Sequence, residues 1–351
     1  MFLPRYTISN KIVSQLTEIA EIKALVAKSS LLPEREMFLR RAAVIKMAHS
    51  STSIEGNELN EYQVEQVIEG KRVSADERQI LEVKNYLLAL KEVDMLADKT
   101  KNMKLENILK IHRIVTNGLV DEKKSGAFRP GQVYIVNVSH HGGEEVVYLP
   151  PEFTDVPMCI NDLLDWLGKN QEVHPILRAG IFHYQFEAIH PFTDGNGRTG
   201  RLLTLLHLYL SGWDFRKILV LEDYYNGNRK AYYEALQTGS TYKDRLGVDL
   251  TNWLEYFVEG FLSEARKVKD QALSLSVISN VNFSRNVLNK DEIKIVDFVV
   301  TMGQITSADV VDILSVPKRT AQAKLKKLED IKVLKKSGSG PKTFYVISSV
   351  E

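Results

Sequence analysis

One cysteine among 351 residues, Cys159, rules out a disulfide within the chain. Its apolar setting, Val156-Pro157-Met158-Cys159-Ile160, is that of a buried thiol in a reducing compartment. Also missing is any apolar run of the roughly 20 residues that a membrane-spanning helix requires. The opening Met1-Phe2-Leu3-Pro4-Arg5 breaks off before a secretory signal can develop. These two absences set the expectation of a cytoplasmic chain without membrane contact. Charge of one sign is absent as well. Lys and Arg number 46 against 45 Asp and Glu, a net charge of +1, so nothing steers the chain as a whole toward nucleic acid or membrane. Internal repeats and low-complexity tracts are lacking. What is present is a 44% share of hydrophobic residues, enough at this length for a sizeable core and two or more domains.

Helical spacing of apolar residues dominates segments 10–28, 35–50, 61–69, 76–97, 105–119, 153–169, 175–188, 198–211, 229–237 and 249–276. The fold class is therefore mainly α. Two β-branched or aromatic runs, Gln132 to Val136 and Val146 to Leu149, flank a Gly-containing turn and read as a hairpin. His140 and His141 in that turn have no metal-ligand partner at a recognised spacing and read as a solvated loop tip.

Chemistry is densest at His190-Pro191-Phe192-Thr193-Asp194-Gly195-Asn196-Gly197-Arg198-Thr199-Gly200-Arg201. Apolar helical segments lie on both sides, so this is a loop leading into a core helix. The backbone N–H groups of Gly195, Asn196 and Gly197 fall at the helix N-terminus, where they are unpaired and biased toward anions. Glycine permits close backbone approach there. Arg198 and Arg201 project from one face of the first turn, where cations oppose the helix dipole unless a polyanion neutralises them. Asp194, the loop's carboxylate, could hold Mg²⁺ against phosphate oxygens. His190 is the group suited to accepting a proton near neutral pH. Together they read as a triphosphate site with a built-in base.

This segment resembles the signature of Fic-domain proteins, His-Pro-Phe-x-[Asp/Glu]-Gly-Asn-[Gly/Lys]-Arg-x-x-Arg, at every fixed position. The resemblance implies a protein adenylyltransferase that moves AMP from ATP to a Tyr, Thr or Ser hydroxyl of a target protein, and of itself. His190 would be the catalytic base, Phe192 the loop's core anchor and Asp194 the metal ligand. Residues Asp194 through Arg201, including Thr199 and Gly200, would bind the nucleotide, with Arg201 nearest the γ-phosphate. The residues alone do not identify the transferred group, since phosphoryl, phosphocholine and UMP transfer occur on similar scaffolds.

Ser51-Thr52-Ser53-Ile54-Glu55-Gly56-Asn57 resembles the family's inhibitory pattern, [Ser/Thr]-x-x-x-Glu-[Gly/Asn]. It implies that Glu55 pairs with Arg201 and displaces the γ-phosphate. Lying N-terminal to the core, it would put the chain in the second of the three family classes. A carboxylate–guanidinium contact competes for the donors that a phosphate needs. The hairpin around Val147 and Tyr148 resembles the family's flap, which aligns a target segment by backbone pairing. Tyr232, Tyr233 and Leu236, in Asn228 to Leu236, resemble the segment flanking the adenine.

The resemblance divides the chain into an N-terminal helical region with the inhibitory motif (1–100), a Fic core (101–245), a connecting helix and linker (246–285) and a C-terminal domain (286–351). That last domain reads as three short helices, Asp291 to Val300, Ser307 to Leu314 and Pro317 to Leu328. Strands Lys332 to Lys336 and Thr343 to Ile347 follow, joined by Gly338-Ser339-Gly340-Pro341. The pattern resembles a winged helix-turn-helix. From Lys318 to Lys342 there are nine basic residues against two acidic ones, which suits a phosphate backbone, although many winged helices bind protein instead. The expected partners are ATP with Mg²⁺, a target protein and, through the winged helix, duplex DNA; a homodimer is compatible. Two other functions remain open: a DNA-binding regulator with the Fic core as sensor, and removal of AMP with Glu55 activating water.

Overall fold

Fifteen α-helices and two small hairpins form the described part of the computed structural model, which covers residues 2–348 apart from 30, 32, 139–143, 281–287, 303 and 341–342. The chain divides into two compact units, residues 1–24 with 43–266, and 25–42 with 267–351. No described helix is long and apolar enough to cross a membrane.

The first unit is built around the antiparallel neighbours α7 (Pro175–Ile189) and α8 (Asn196–Leu210). Both are buried over nearly all their residues, as expected of helices that are apolar almost all round. Pro175 starts α7 with its φ already preset. Helices α4 (Glu77–Lys99) and α5 (Leu105–Val115) pack on α8, and α6 (Val156–Lys169) packs on α7. The Asp76 carboxylate caps α4 by accepting from the N–H groups of Arg78 and Gln79. At the start of α12 (Thr251–Asn280), the Trp253 indole donates to the Gly180 carbonyl at 2.8 Å. Ahead of these lie α1 (Asn10–Lys28), α2 (Pro33–Ile54) and α3 (Glu61–Ile68), the last closed by a capping box between Asn60 and Gln63.

The expected hairpin forms with shifted limits. Strand β1 (Ile135–Val138) pairs antiparallel with β2 (Glu144–Tyr148), three residues later at the start than the sequence suggested. The loop histidines His140 and His141 lie outside the described residues. Helix α5 stops at Val115 rather than 119, because beyond Thr116 the bonds tighten to i→i−3, Asn117 N–H to the Ile114 carbonyl at 3.4 Å and Leu119 N–H to the Thr116 carbonyl at 3.0 Å, and Gly118 turns the chain at φ +71°. Two short helices, α9 (Leu221–Gly227) and α11 (Tyr242–Arg245), escape the periodicity reading because fewer than two turns cannot display a 3.6-residue repeat. Between them lies α10 (Arg229–Leu236).

In the second unit, α13 (Lys290–Met302), α14 (Ser307–Leu314) and α15 (Lys318–Asp330) precede the antiparallel pair β3 (Leu334–Ser337) and β4 (Phe344–Ile347). Their shared core is Ile295, Val296, Val299, Ile305, Val310, Ala321, Leu325, Leu328, Val333 and Leu334. Ile305 and Tyr345 exchange backbone hydrogen bonds of 2.9 and 2.8 Å, extending the hairpin toward the α13–α14 turn. Residues 341 and 342 of the expected hairpin turn, and 281–284 of the expected linker, lie outside the described residues.

Candidate active site

Between α7 and α8 the chain reverses through Pro191–Gly195, and His190 ends α7 in the left-handed region, φ 48°. Few residues other than Gly adopt that conformation without cost, so the position must be held. Arg129 holds it. Its N–H donates to the Pro191 carbonyl and its Nε to the His190 carbonyl, both at 3.0 Å, while Nη2 donates to Pro151 at the foot of the hairpin. Below the loop, Phe192 is fully buried and its ring stacks on His112, centroids 3.6 Å apart. The Gly126 N–H donates to His112 Nδ1 at 2.9 Å, so the proton of a neutral ring lies on Nε2, which reaches the Asp194 carbonyl at 2.9 Å. Burial keeps this imidazole neutral, its pKa pushed down to about 4. Asn196 closes the loop by exchanging hydrogen bonds of 2.8 and 2.9 Å with the N–H and carbonyl of Phe192.

Gly195 caps α8 with φ +77°, and a Cβ on it would sit 2.8 Å from Thr116 Cγ2. The helix therefore begins at Asn196, two residues before the sequence-based limit. The N–H groups of Asn196, Gly197 and Arg198 form its first turn, ahead of the helical ladder. His190 Nδ1 is buried without a hydrogen-bond partner, and burial pushes the imidazole's pKa down to about 4, against the pull of the Glu55 carboxylate. The imidazole is thus neutral at physiological pH, the state required of a base.

The two arginines take different surroundings. Arg198 is buried, with Nη2 at 3.2 Å from Asp194 Oδ1 and Nη1 at 3.6 Å from Glu82 Oε1 on α4. Its Nε and Nη1 make no hydrogen bond. Arg201, also buried, is fully engaged with the end of α2. Its Nε donates to Ser51 Oγ at 2.8 Å, and Nη2 donates to the Ser51 carbonyl at 2.9 Å and to Glu55 Oε1 at 2.7 Å. Burial works against this guanidinium's charge, but the facing Glu55 carboxylate outweighs it and raises the pKa further. Asp194 keeps part of its carboxylate toward solvent, with Arg78 Nη2 at 3.6 Å from Oδ2. Its other oxygen, Oδ1, faces Arg198, so both carboxylate oxygens lie beside a guanidinium. Among the described residues no group of three potential metal ligands exists.

The sequence-derived candidates do not all converge. Thr199 is completely buried, and Gly200 lies against Glu187 and Phe186 of α7. Tyr232 is also buried. Its hydroxyl bonds His183 Nε2 at 2.8 Å, and His183 Nδ1 bonds Thr204 Oγ1 at 2.9 Å, so the side chain is spent on the core. Leu236 is buried likewise. Tyr233 does border the site, half-exposed, with its hydroxyl 3.4 Å from the Ile54 carbonyl next to Glu55. Tyr148 is buried rather than presented at an edge. Its hydroxyl donates to the Ala188 carbonyl at 2.7 Å and Arg245 lies 3.5 Å over its ring, fastening β2 to α7. The Val147 carbonyl accepts from Gln237 at 2.8 Å. Among the described residues, Val136 and Val146 of the hairpin, and Tyr134 just before it, are exposed apolar side chains.

Sequence reasoning did not find Glu187. One turn before His190, it points at α8 so closely that a Cβ on Gly200 would strike its Oε1, and that oxygen is buried without a hydrogen-bond partner. Burial raises its pKa to about 7, against the pull of Arg201. A lone carboxylate in a helix of mostly apolar residues, three positions before His190, is the available signal.

Comparison with known proteins agrees with this geometry. Residues 102–208 match the Fic/DOC family. The chain is similar to the protein adenylyltransferase Fic of Aedes aegypti, 33% identical over 220 residues, covering 60% of this chain and 40% of that protein. It is also similar to the same-named protein of Drosophila willistoni, 33% identical over 203 residues, covering 56% and 38%. The chain thus spans about two fifths of the length of these curated relatives. A Fic family protein from Desulfovibrio desulfuricans G20 superposes over 100% of this chain and 99% of its own, at 27% identity and a TM-score of 0.65. Fic-1 of C. elegans shares the fold over 76% of this chain and 74% of its own, at 24% identity and a TM-score of 0.58. The loop that closes α7 onto α8, with His190 and the two arginines, lies within residues 102–208, the segment that is similar to the Fic/DOC family.

Proposed function

We propose that the chain transfers AMP from ATP to a protein hydroxyl and that Glu55 restrains this activity. The observation that carries the reading is Arg198. This buried guanidinium has Asp194 and Glu82 nearby at 3.2 and 3.6 Å, yet its Nε and Nη1 make no hydrogen bond, and in the open first turn of α8 these donors suit an anionic ligand. The name protein adenylyltransferase, borne by the relatives in Aedes and Drosophila, supports AMP over other transferred groups.

In this reaction the acceptor oxygen bonds to the α-phosphorus as the bond to the diphosphate oxygen breaks, and the acceptor's proton passes to the His190 imidazole. First-turn N–H groups of α8 and Arg198 stabilise the charge building on the phosphates. Asp194 is the residue that would hold Mg²⁺. A single carboxylate fits the habit of this ion, which completes its shell from phosphate and water, and when bound it would neutralise phosphate charge. Arg201 would bind the terminal phosphate once Glu55 withdraws. The C-terminal module, with α14 and α15 followed by the hairpin, is read as a winged helix.

The test is incubation of the full chain with ATP labelled at the α- or the γ-phosphate. Covalent label from the α-position alone, lost in His190→Ala, is expected. Label from the γ-position would mean phosphoryl transfer and would refute the reading.

A further inference from the structure

The chain-wide charge of +1 conceals a local imbalance in the C-terminal module. Between Lys318 and Lys336 stand eight basic residues and only two acidic ones, Glu329 and Asp330. The structure divides the eight into two sets. Lys324 and Lys327 are spent on ion pairs that dock α15 on α13, at 3.1 Å from Asp291 and 2.8 Å from Glu292. Lys318, Arg319, Lys326, Lys332, Lys335 and Lys336 are exposed. No ion pair involves any of these six among the described residues. Ala321, Leu325 and Leu328 bury the opposite side of α15, so the positive face is fixed by the core behind it. Lys318 and Arg319 also stand in the first turn of α15, against the helix dipole, a cost that neighbouring phosphates would offset.

What this face lacks decides the kind of partner. None of the described large apolar side chains of residues 288–348 is exposed. A protein interface needs apolar or aromatic anchors at its centre, and an interfacial membrane helix needs an apolar face; neither is present. Between the basic residues, α15 exposes only Thr320, Gln322 and Ala323, small or polar side chains that let a helix enter a major groove about 12 Å wide. Ser315 caps the end of α14 in the left-handed conformation, φ 52°, and Pro317 is the N-cap of α15 two residues later, the tight turn of a helix-turn-helix.

We propose that α15 and the β3–β4 hairpin bind duplex DNA, with the six exposed basic side chains on its phosphates and the Thr320–Ala323 face in the major groove. This site is separate from the transfer reaction and does not depend on it.

The test is fluorescence anisotropy of the full chain with a labelled random-sequence duplex of about two helical turns, in 50 to 200 mM KCl. Six phosphate contacts give a slope of log K against log[salt] of about −5, a loss of roughly a thousandfold over that range. The triple variant Lys318→Gln/Arg319→Gln/Lys326→Gln should flatten the slope by roughly 2.7, while Lys91→Gln on the exposed side of α4 leaves it unchanged. No binding at 50 mM KCl would overturn the proposal, as would binding that the triple variant leaves intact. Equal affinity for a polyglutamate of matched charge would also overturn it, by showing an acidic-protein site instead. His190→Ala should bind the duplex as the unaltered chain does, so failure of the transfer reading leaves this result standing.

Discussion

Replacing Glu55 with Gly should release the restraint without dislodging Arg201. The geometry says why. Arg201 makes three hydrogen bonds to α2 and the turn after it, and only one of them ends on Glu55. The two to Ser51 remain, so the guanidinium keeps its place and gains a donor to offer a phosphate. A hydrogen bond between charged partners contributes about 1.5–3 kcal/mol. The Glu55 side chain is 33% exposed, so water screens part of this and the low end applies, about 1.5 kcal/mol or roughly tenfold in the competition with ATP. The rate of self-modification, followed with α-labelled ATP below saturation, should rise by about that factor. Arg201→Ala should be poorly active, and Glu55→Gly should not rescue it, because relief of competition has nothing left to act on. That is the strong non-additivity expected of two residues in direct contact. Equal rates for the unaltered chain and Glu55→Gly at matched ATP would refute the reasoning. So would a double variant as active as Glu55→Gly alone.

His190→Ala should lower transfer by roughly 10²–10⁴-fold while calorimetry shows ATP binding nearly unchanged. With its pKa held near 4, His190 stays a neutral base as pH falls, so the acid limb of the rate profile should lie below pH 5 rather than near 6.5. Asp194→Ala should lose both activity and its dependence on Mg²⁺ concentration; an unaltered Mg²⁺ titration would reduce Asp194 to a turn residue. Glu187 should lower stability as pH rises. Its folded pKa of about 7 exceeds the ordinary carboxyl value, so the folded chain holds a proton that the unfolded chain releases between about pH 4.5 and 7. The cost is absent below that window and reaches roughly 3 kcal/mol above it. Thermal melts should therefore show Glu187→Gln more stable than the unaltered chain at pH 8 and equal to it at pH 4; a gap that does not change with pH would contradict this.

What could be read from the sequence was local. The twelve residues from His190 to Arg201 carry their chemistry at fixed spacing, and the apolar runs on either side already require a helix–loop–helix. What could not be read depends on residues far apart in the chain. The grip of Ser51 on Arg201 spans 150 positions, and that of Arg129 on the His190 carbonyl spans 61. His112, which orients the loop through its stacking on Phe192, sits in an ordinary amphipathic helix with no motif to mark it. Nor does the sequence show that the Tyr232 and Tyr148 side chains turn inward, each ring filling the core and placing its hydroxyl on an interior acceptor, the more common fate of a Tyr in an apolar segment.

The contact of Glu55 with Gly197 gives the proposed inhibition a physical form, in which restraint and phosphate binding would share one place. Glu55 Oε1 lies so near Gly197 that a Cβ there would overlap it, and the same oxygen accepts from Arg201. A phosphate oxygen bound by the first turn of α8 and by Arg201 would need that same volume and that same donor. On the proposed reading the carboxylate stands in for a phosphate, offering Arg201 an anionic oxygen acceptor. It is tethered to a turn in which Glu55 N–H bonds the Thr52 carbonyl at 3.1 Å and Gly56 N–H bonds the Ser53 carbonyl at 2.9 Å. Occupancy by Glu55 is thus intramolecular and independent of concentration, whereas that of ATP is not. Inhibition of this kind is a ratio rather than a block. Raising ATP should narrow the gap between the unaltered chain and Glu55→Gly until both approach one maximal rate, and a gap that persists at saturating ATP would mean that Glu55 acts on the chemical step instead.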